Sequence, residues 1–153
     1  MSLTEFAVPT AVAFPGMTVR ELFTACVKAD VAGIPFRAAN GEFVGKASIR
    51  HVLGSLCIPE AMIEHARLLG DSIEALRFPL VREQWLLDQT IDDYILTDFA
   101  QITPAAPLAK ALAIMESHDT TYSFVIDDSH NYHGTLSIVS LARRLLDRNP
   151  PQT

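Results

Sequence analysis

The sequence predicts a mixed α/β (α+β) protein made of two similar β-α-β-β-α repeats, packed sheet to sheet about a pseudo-two-fold axis. Two stretches of the 153-residue chain align without a gap at an offset of 89 positions. Each stretch passes from a helical spacing of apolar residues to two strand-like segments and back to a helix. Hydrophobic residues make up 49% and charged residues 20%, which is enough to build a buried core.

Identical residues mark the offset. Pro15, Asp30, Gly45, Ser48 and Ile49 align with Pro104, Asp119, Gly134, Ser137 and Ile138. Apolar positions between them agree as well, for example Phe36 with Val125. Because identities, apolar pattern and spacing coincide, the two stretches are interpreted as an internal repeat.

The first repeat begins with a predicted helix over residues 18–29. Its apolar residues follow the spacing of one helix face: Val19, Leu22, Phe23, Cys26 and Val27. Thr18 is the expected N-cap, with Glu21 as its capping-box partner. Cys26 is expected to be a small core residue.

A hairpin and a second helix complete this repeat. Strands are predicted over residues 33–36 and 43–47, joined by a turn at residues 39–41 in which Asn40-Gly41 suits a type I′ geometry. Ser48 is expected to cap a helix from Ile49 to about Leu56. A short strand around Val12 and Ala13 precedes the repeat.

The second repeat follows the same order. A short strand at residues 101–102 leads into a helix over 108–117, strands over 123–126 and 132–136 around a turn at 127–131, and a helix over 138–148. The domain boundaries are therefore predicted as 1–56, 57–89 and 90–153, with residues 57–89 forming a helical insertion. Helices are expected over 60–69, 72–76 and 90–96, and Trp85, Leu86 and Leu87 give the insertion apolar surface to bury.

Charge and composition exclude several classes of function. A net charge of −6 disfavours nucleic-acid binding through a broad basic face. No apolar run approaches the roughly 20 residues that span a bilayer, so no membrane insertion is expected. The first fifteen residues lack the basic region of a secretory signal. Cys26 and Cys57 have no metal-ligand spacing, and a cytoplasmic location with reduced thiols is expected.

The motifs of both repeats resemble the cystathionine-β-synthase (CBS) domain. The resemblance rests on Thr-Val-x-Glu-Leu from Thr18, Gly-Ile-Pro-Phe from Gly33, and Asn-Gly-x-Phe-Val-Gly-x-x-Ser-Ile from Asn40. The stretch Ile102-Thr103-Pro104 to Leu112 is similar to the opening of a second copy. Nearly the whole chain is covered, apart from the insertion and the last few residues.

The resemblance implies a tandem pair, or Bateman module, which commonly forms a homodimer. Such modules are regulatory and sense adenosine compounds such as AMP, ADP, ATP or S-adenosylmethionine, and they require no cofactor. With no effector domain in the sequence, the regulated target is expected to be a separate protein. The expected dimer surface is apolar, formed by Val52, Leu53, Leu56, Leu141, Leu145 and Leu146.

The family resemblance also implies where a ligand binds. In the family, a Gly-x-x-Ser/Thr-x-x-Asp motif touches phosphate through its hydroxyl and ribose through its Asp. Here the motifs place Ser48 with His51, and Ser137 with Ser140, so neither copy has the Asp. The expected ligand-binding residues are Thr103, Tyr122, Ser123, Ser137, Ser140, Ile34, Pro35, Ser48 and His51.

Structural interpretations stand beside each of these. Both serines are also explained as N-caps, Tyr122 as sheet packing, and His51 with Lys46 and Arg50 as a solvated helix face. The cleft at Ser137 is the preferred nucleotide site, because Thr103, Tyr122 and Ser123 offer polar groups and a stacking surface. The cleft at Ser48 has the more basic motif and suits a bare anion.

Catalysis and metal binding have little support in the sequence. Nucleophile elbow, P-loop and His/Glu zinc motifs are missing, so no enzyme is expected. His130, His133, Asp127 and Asp128 fall on a predicted turn, where such residues serve conformation, and no metal site is expected. The alternative function is a ligand-free dimerisation scaffold that docks a partner through the insertion.

Overall fold

A computed structural model describes residues 2–58, 65–66 and 83–152. The first repeat contains α1 (Val19–Ala29), β1 (Gly33–Arg37), β2 (Phe43–Ser48) and α2 (Ile49–Cys57). A short helix, α3 (Glu83–Asp88), precedes the second repeat, which contains β3 (Gln101–Ile102), α4 (Leu108–Ser117), β4 (Tyr122–Ile126), β5 (Tyr132–Ser137) and α5 (Ile138–Arg148). The mixed α/β fold predicted from the sequence is thereby confirmed.

Backbone pairing repeats with the predicted offset of 89 positions. Antiparallel β1 and β2 pair Gly33 with Ser48, and antiparallel β4 and β5 pair Tyr122 with Ser137. Each hairpin has an irregularity at the same place, after Phe36 and after Val125. Because the register is conserved down to these irregularities, the internal repeat is a structural one.

The ends of the helices follow from local sequence. Thr18 and Glu21 form the predicted capping box at the start of α1. After the first helix of each repeat, Asp30 and Asp119 adopt left-handed backbone angles, with φ of 55° and 49°. Asp tolerates this region better than most residues, which explains why the same type stands at both positions.

Three local predictions differ from the structure. Ala13 forms a single parallel bridge with Phe36 instead of a strand, although Ile102 pairs with Val125 at the equivalent position in β3. Residues 90–96 are not a helix: they contain one 3₁₀ turn, Asp92–Tyr94, because the backbone of Leu96 pairs with Lys46. The helices predicted over 60–69 and 72–76 lie outside the described residues.

The first hairpin turn also differs from the expected type I′. Among its residues only Gly41 has a positive φ, 89°, so Asn40 does not adopt the left-handed angles that this turn requires. The amide of Ala38 instead donates to Glu42 across a three-residue loop. Gly41 supplies the positive φ at the loop's third residue, and Asn40 Oδ1 accepts from the Glu42 amide at 3.0 Å.

Each repeat has its own apolar core, and the segment leading into one repeat packs into the core of the other. Leu22, Cys26 and Ile34 are fully buried in the first core, which also takes up Ile91 from the lead-in of the second repeat. The second core contains Leu136 and takes up Leu3 and Phe6 from the start of the chain. Matching backbone bridges join Val8 to Thr135 and Leu96 to Lys46.

Aromatic side chains join the two repeats between these cores. Tyr122 and Phe124 on β4 lie 5.7 Å apart between ring centroids, and Phe43 of the first repeat lies 6.1 Å from Tyr132 of the second. Because β1 also contacts β4, the repeats share one apolar layer. Leu86 and Leu87 of α3 pack on the first core, whereas Trp85 is about half exposed.

The predicted apolar surface on α2 and α5 is partly buried in the structure. Val52 and Leu141 belong to the two cores and are not available to a partner, which corrects the expectation for these residues. Leu53, Leu145 and Leu146 are exposed, together with Ile138 and Val139 at the start of α5. Within the part of the chain that the structure describes, no helix has the length and apolar character needed to cross a membrane.

Candidate functional site

A cavity of about 800 Å³ lies between the two repeats at the start of α2, and we call it the Ser48 cleft. The first repeat contributes the end of β2 and the first two turns of α2. The second repeat contributes the end of α4, the loop that follows it, and the first residue of β4. Its size matches the clefts that bind nucleotide-sized ligands.

Two buried hydroxyl groups line this cleft. Ser48 and Tyr122 are 8% and 6% exposed, and the Tyr122 hydroxyl has no hydrogen-bond partner among the described residues. Ser48 lies close enough to oppose the rise in the Tyr122 pKa that burial causes, but the two hydroxyls do not meet in hydrogen-bonding geometry. The Tyr122 hydroxyl oxygen is itself buried beside Gly33, and an unpaired buried hydroxyl costs about 1–3 kcal/mol.

Gly33 is required by this arrangement. A Cβ at that position would collide with the Tyr122 hydroxyl and would lie 2.9 Å from the Ala47 carbonyl oxygen. Glycine therefore lets the tyrosine of the second repeat lie against the first sheet. Tyr122 also carries the Lys46 ammonium over its ring, 5.2 Å from the centroid. Tyr122 therefore packs against its neighbours in the sheet, as one of its two interpretations expected, and it also lines the cleft. Its stacking on an adenine ring stays a prediction.

The start of α2 is only weakly capped. Ser48 Oγ accepts a hydrogen bond from the His51 amide at 3.4 Å, the long end of the normal range. The His51 side chain, at the third helical position, does not bond back to the Ser48 amide. The Ile49 amide donates to the Ala32 carbonyl at 3.0 Å, so two of the first three helical amides, those of Ile49 and His51, already have partners.

Charges in the cleft are divided by repeat. Lys46, Arg50 and His51 come from the first repeat, whereas Asp98, Glu116 and Asp119 come from the second. Burial lowers the pKa of Lys46, an effect that Asp98 opposes and Arg50 reinforces. His118 Nδ1 lies 2.7 Å from Asp98 Oδ1 at the same wall.

The equivalent place in the second repeat, which we call the Ser137 region, is closed by its own side chains. Ser137 Oγ accepts from the Ser140 amide, and Ser140 Oγ accepts from the Ser137 amide, both at 2.9 Å. Ser140 Oγ also donates to the Ser137 carbonyl at 3.0 Å. This capping box uses the hydroxyl groups that a ligand would need.

A second difference concerns the residue one turn further along each helix. Arg143 of α5 reaches Asp30 at 3.4 Å, which connects the two repeats across the Ser137 region. At the offset of 89 positions, Gly54 stands for Arg143 and Asp119 for Asp30. Both Gly54 and Asp119 line the Ser48 cleft, and a Cβ built on Gly54 meets nothing within 4 Å. The cleft is therefore open where its counterpart is bridged.

The structure brings together three of the predicted site residues, Ser48, His51 and Tyr122, in the Ser48 cleft. The other six do not line it: Ile34, Pro35, Thr103, Ser123, Ser137 and Ser140. Ser123 is fully buried with an unpaired hydroxyl and shares the helix-facing side of β4 with Val125, because side chains alternate along a strand. The sequence argument preferred the Ser137 cleft, whereas the cavity described here is at Ser48.

Sequence reasoning missed the second-repeat wall of the cleft, formed by Asp98, Glu116, His118 and Asp119. These residues belong to no motif. One signal was available: aligning the repeats pairs Gly54 with Arg143, and that change removes a long cationic side chain from one cleft alone.

The turn that carries His130 and His133 is explained by hydrogen bonding. Asp127 Oδ1 accepts from the amides of Ser129 and Asn131, each at 2.9 Å, and Asp127 Oδ2 lies 2.8 Å from His133 Nε2. The backbone bond from Asn131 and the bond to His133 lower the Asp127 pKa to about 2. Among residues 2–58, 65–66 and 83–152, no group of three His, Cys, Asp or Glu is arranged to hold a metal ion.

Comparisons with known proteins agree with this architecture. The family model of the CBS domain matches residues 91–147. A CBS-domain protein of unknown function from Bacillus anthracis superposes with a TM-score of 0.63 at 15% identity, covering 97% of this chain and 94% of that one. A CBS domain pair/ACT domain protein from Thermotoga maritima gives a TM-score of 0.58 at 16% identity, covering 97% and 98%.

A third solved structure is described as a putative archaeal homolog of g-AMPK, from Methanocaldococcus jannaschii. Its TM-score is 0.64 at 12% identity, and the match covers 98% of this chain and 51% of that one. No curated protein matches the sequence. Residues 91–147 therefore match the CBS-domain family, and the described residues of the chain have the fold seen in solved CBS-domain proteins, a CBS domain pair/ACT domain protein among them.

Proposed function

We propose that this protein is a regulatory module that binds an adenosine compound in the Ser48 cleft and signals through a homodimer to a separate protein. The observation that carries the proposal is the cavity of about 800 Å³ between the repeats, lined by the largely buried Ser48 and Tyr122 and by Lys46 and Arg50. A ligand in that position contacts both repeats at once. Its binding therefore favours one arrangement of the repeats over others, which is what a sensor requires.

The Ser48 cleft supports an adenosine ligand by its chemistry. The Lys46 and Arg50 side chains, which line the cleft beside the start of α2, suit an anionic group. The Ser48 hydroxyl offers a hydrogen bond to a sugar or base edge. His51 stands where the family's ribose-binding Asp would be, so a carboxylate for the ribose has to come from elsewhere in the cleft.

Exposed apolar residues support the dimer. Leu145, Leu146 and Val139 on α5 are 44%, 72% and 58% exposed, and Leu53 on α2 is also accessible. Isolated apolar side chains on a surface need no explanation, but several on one helix indicate a contact face. A mass near twice that of the chain in light scattering at micromolar concentration is the expected result, and a strictly monomeric mass would reject this part of the proposal.

The alternative function, a ligand-free scaffold, is favoured by one specific observation. In the Ser137 region the serine hydroxyls are engaged in a capping box and Arg143 is paired with Asp30, so the groups that a ligand would contact there already have partners. If the Ser48 cleft also binds nothing, the repeats serve assembly alone.

Thermal-shift and calorimetric titration with AMP, ADP, ATP and S-adenosylmethionine test the proposal. A ligand that binds the folded state raises the melting temperature, by an amount set by its concentration relative to the Kd. The Gly54→Arg variant should lose this response, because the arginine is expected to reach Asp119 as Arg143 reaches Asp30. Arginine is also a better helix former than glycine by roughly 1 kcal/mol, so the variant should fold.

The matched control is Arg143→Gly, which removes the cation from the equivalent position of α5. This variant should keep the parent's response to ligand at the Ser48 cleft. Binding that survives Gly54→Arg unchanged would contradict the assignment of the cleft. No response of the parent protein to any of the four compounds would instead favour the scaffold.

A further inference from the structure

The turn between β1 and β2 places an asparagine followed by a glycine at the surface of the protein. Residues 39–42 are all exposed, and Gly41 supplies the positive φ of 89° that the turn requires. In an Asn-Gly pair the backbone nitrogen of the glycine can approach the side-chain carboxamide closely, because glycine has no Cβ to obstruct it. The turn therefore brings together an electrophile, the Asn40 carboxamide, and a nucleophile, the Gly41 nitrogen.

The Asn40 side chain is folded towards the group that would attack it. Its Oδ1 accepts a hydrogen bond from the Glu42 amide at 3.0 Å. A side chain that reaches the amide two residues ahead lies along the intervening peptide group, which here is that of Gly41. The same hydrogen bond polarises the carboxamide carbonyl and is placed to stabilise negative charge on Oδ1 when a nucleophile adds to Cγ.

The surroundings of Gly41 leave this reaction accessible to solvent. A Cβ built at residue 41 meets nothing within 4 Å among the described residues beyond its chain neighbours. The Gly41 amide donates to the Ala38 carbonyl at 2.9 Å, and this bond must break before the nitrogen can attack. Because the loop is short and exposed, its local opening costs little free energy, so the bond slows the reaction without preventing it.

We propose that Asn40 is a site of spontaneous deamidation and isomerisation in the native protein. The Gly41 nitrogen gives its proton to solvent and attacks Asn40 Cγ, so that an N–Cγ bond forms. The Cγ–Nδ2 bond breaks, the leaving nitrogen takes a proton from water, and ammonia departs from a cyclic imide. Water, the one co-reactant, then opens the imide at either carbonyl and leaves aspartate or isoaspartate at residue 40. This inference does not depend on the proposed function.

The sequence contains two other asparagines, and neither meets the same conditions. Asn149 precedes Pro150, whose nitrogen carries no hydrogen and cannot act as the nucleophile. Asn131 precedes Tyr132, whose side chain obstructs the approach and whose backbone belongs to β5. The second hairpin has Ser129-His130 at the positions equivalent to Asn40-Gly41, so the site exists in one repeat only.

The two products differ in their effect on the fold. Aspartate keeps an oxygen acceptor for the Glu42 amide, as Asp127 does for the amides of the second turn. Isoaspartate adds a methylene to the backbone just before Phe43, whose ring lies 6.1 Å from that of Tyr132 in the other repeat. Isomerisation should therefore disturb the start of β2 and weaken a contact between the repeats.

The test is peptide mapping by mass spectrometry of the full chain, incubated at mildly alkaline pH in its native state and, in parallel, unfolded in urea. Residue 40 should gain the mass of an amide-to-acid conversion in both samples, with a native rate within about tenfold of the unfolded rate. In the native sample residue 131 should convert at least about tenfold more slowly than residue 40, because Tyr132 replaces a glycine. Residue 149 should not convert.

Asn40→Asp is the matched control, because it carries the aspartate product and has no carboxamide to lose. Freshly prepared, this variant should keep the parent's melting temperature and gain no mass at residue 40. The aged parent should melt lower in proportion to its isoaspartate content, which methylation by an isoaspartyl methyltransferase measures. An Asn40 that stays intact in the native protein while it converts in urea overturns the inference. Conversion of Asn131 as fast as that of Asn40 in the native protein also overturns it.

Discussion

The two inter-repeat regions of this molecule differ more than their shared backbone suggests. At Ser137 the N-cap forms reciprocal hydrogen bonds with Ser140, and Arg143 connects the helix to Asp30 of the other repeat. At Ser48 the third helical residue is His51, the residue one turn further is Gly54, and a cavity lies open. The two regions therefore share a backbone but differ at two helical positions, which are His51 and Gly54 in α2 and Ser140 and Arg143 in α5.

This comparison shows that equivalent motifs need not have equivalent roles. The hydroxyl of an N-cap serine is most simply satisfied by hydrogen bonds to the first turn of its own helix, as it is at Ser137. At Ser48 the internal hydrogen bonding is weaker, with one capping bond of 3.4 Å, and this is where we propose that a ligand binds. The two cores also differ at one pair of equivalent positions. Ile34 of the first repeat and Ser123 of the second are both fully buried, but one is apolar and the other is polar.

The largest expected effects on the free energy of unfolding come from substitutions at these two core positions. Ile34→Ser should lower the free energy of unfolding by about 3–5 kcal/mol, because it creates a cavity and buries a hydroxyl in the first core. Ser123→Ala should raise it by about 1 kcal/mol, because the parent hydroxyl is buried without a partner. Urea unfolding of both variants measures the two effects. A Ser123→Ala variant less stable than the parent would show that its hydroxyl is bonded in solution.

A smaller difference is expected between the two N-caps. Ser137→Ala should cost about 1–2 kcal/mol, because it breaks a closed capping box with 2.9 Å hydrogen bonds. Ser48→Ala should cost about 0.5 kcal/mol, because its one capping bond is 3.4 Å long. Equal losses in denaturant unfolding would contradict the distinction between a closed and an open helix start.

The two hairpin turns give the smallest expected effect, and it depends on pH. The Asp127 pKa is lowered to about 2 in the folded protein, against an ordinary value near 4. Its stabilising effect is therefore fully present above about pH 4 and is lost as the pH falls through about 2. Asp127→Asn should lower the melting temperature at pH 6 and make progressively less difference towards pH 2.

The first hairpin supplies the control for this measurement. Asn40 accepts the Glu42 amide in a similar turn but does not titrate. The effect of Asn40→Ala on the melting temperature, relative to the parent, should thus not diminish towards acid pH. A pH-independent effect of Asp127→Asn would show that the carboxylate charge is not what stabilises the second turn.

Much of the fold was predictable because its signals are local. The capping box of Thr18 and Glu21, the helix over residues 108–117 and the Ser48 and Ser137 caps each depend on residues a few positions apart. Local propensity failed at residues 90–96, where burial of Ile91 in the first core and pairing of Leu96 with Lys46 outweigh the helical pattern. The predicted boundaries of the insertion stay a prediction.

The candidate site was only half predictable for the same physical reason. The residues of the first-repeat wall lie close together in sequence, in the single motif from Lys46 to His51. The opposite wall becomes part of the site only when the repeats pack, since Asp98 and Asp119 are distant in sequence, and the repeat alignment marks Asp119 only as the equivalent of Asp30. Gly54 leaves space at the edge of the cleft because it has no side chain. The sequence indicates this only when Gly54 is compared with Arg143, the equivalent residue of the second repeat.

The exchange of lead-in segments has a consequence for how this protein folds. The Leu3 amide donates to the Pro104 carbonyl at 3.0 Å, and the Val8 amide donates to the Thr135 carbonyl at 2.8 Å. The first residues of the chain can therefore form these contacts only after the second repeat has formed. High contact order of this kind slows folding, because long loops must close before their contacts form. Neither repeat completes its core from its own sequence alone, and the two should melt in one cooperative transition. Removing residues 2–8 should accordingly destabilise the whole protein, although Leu3 and Phe6 pack only in the second core.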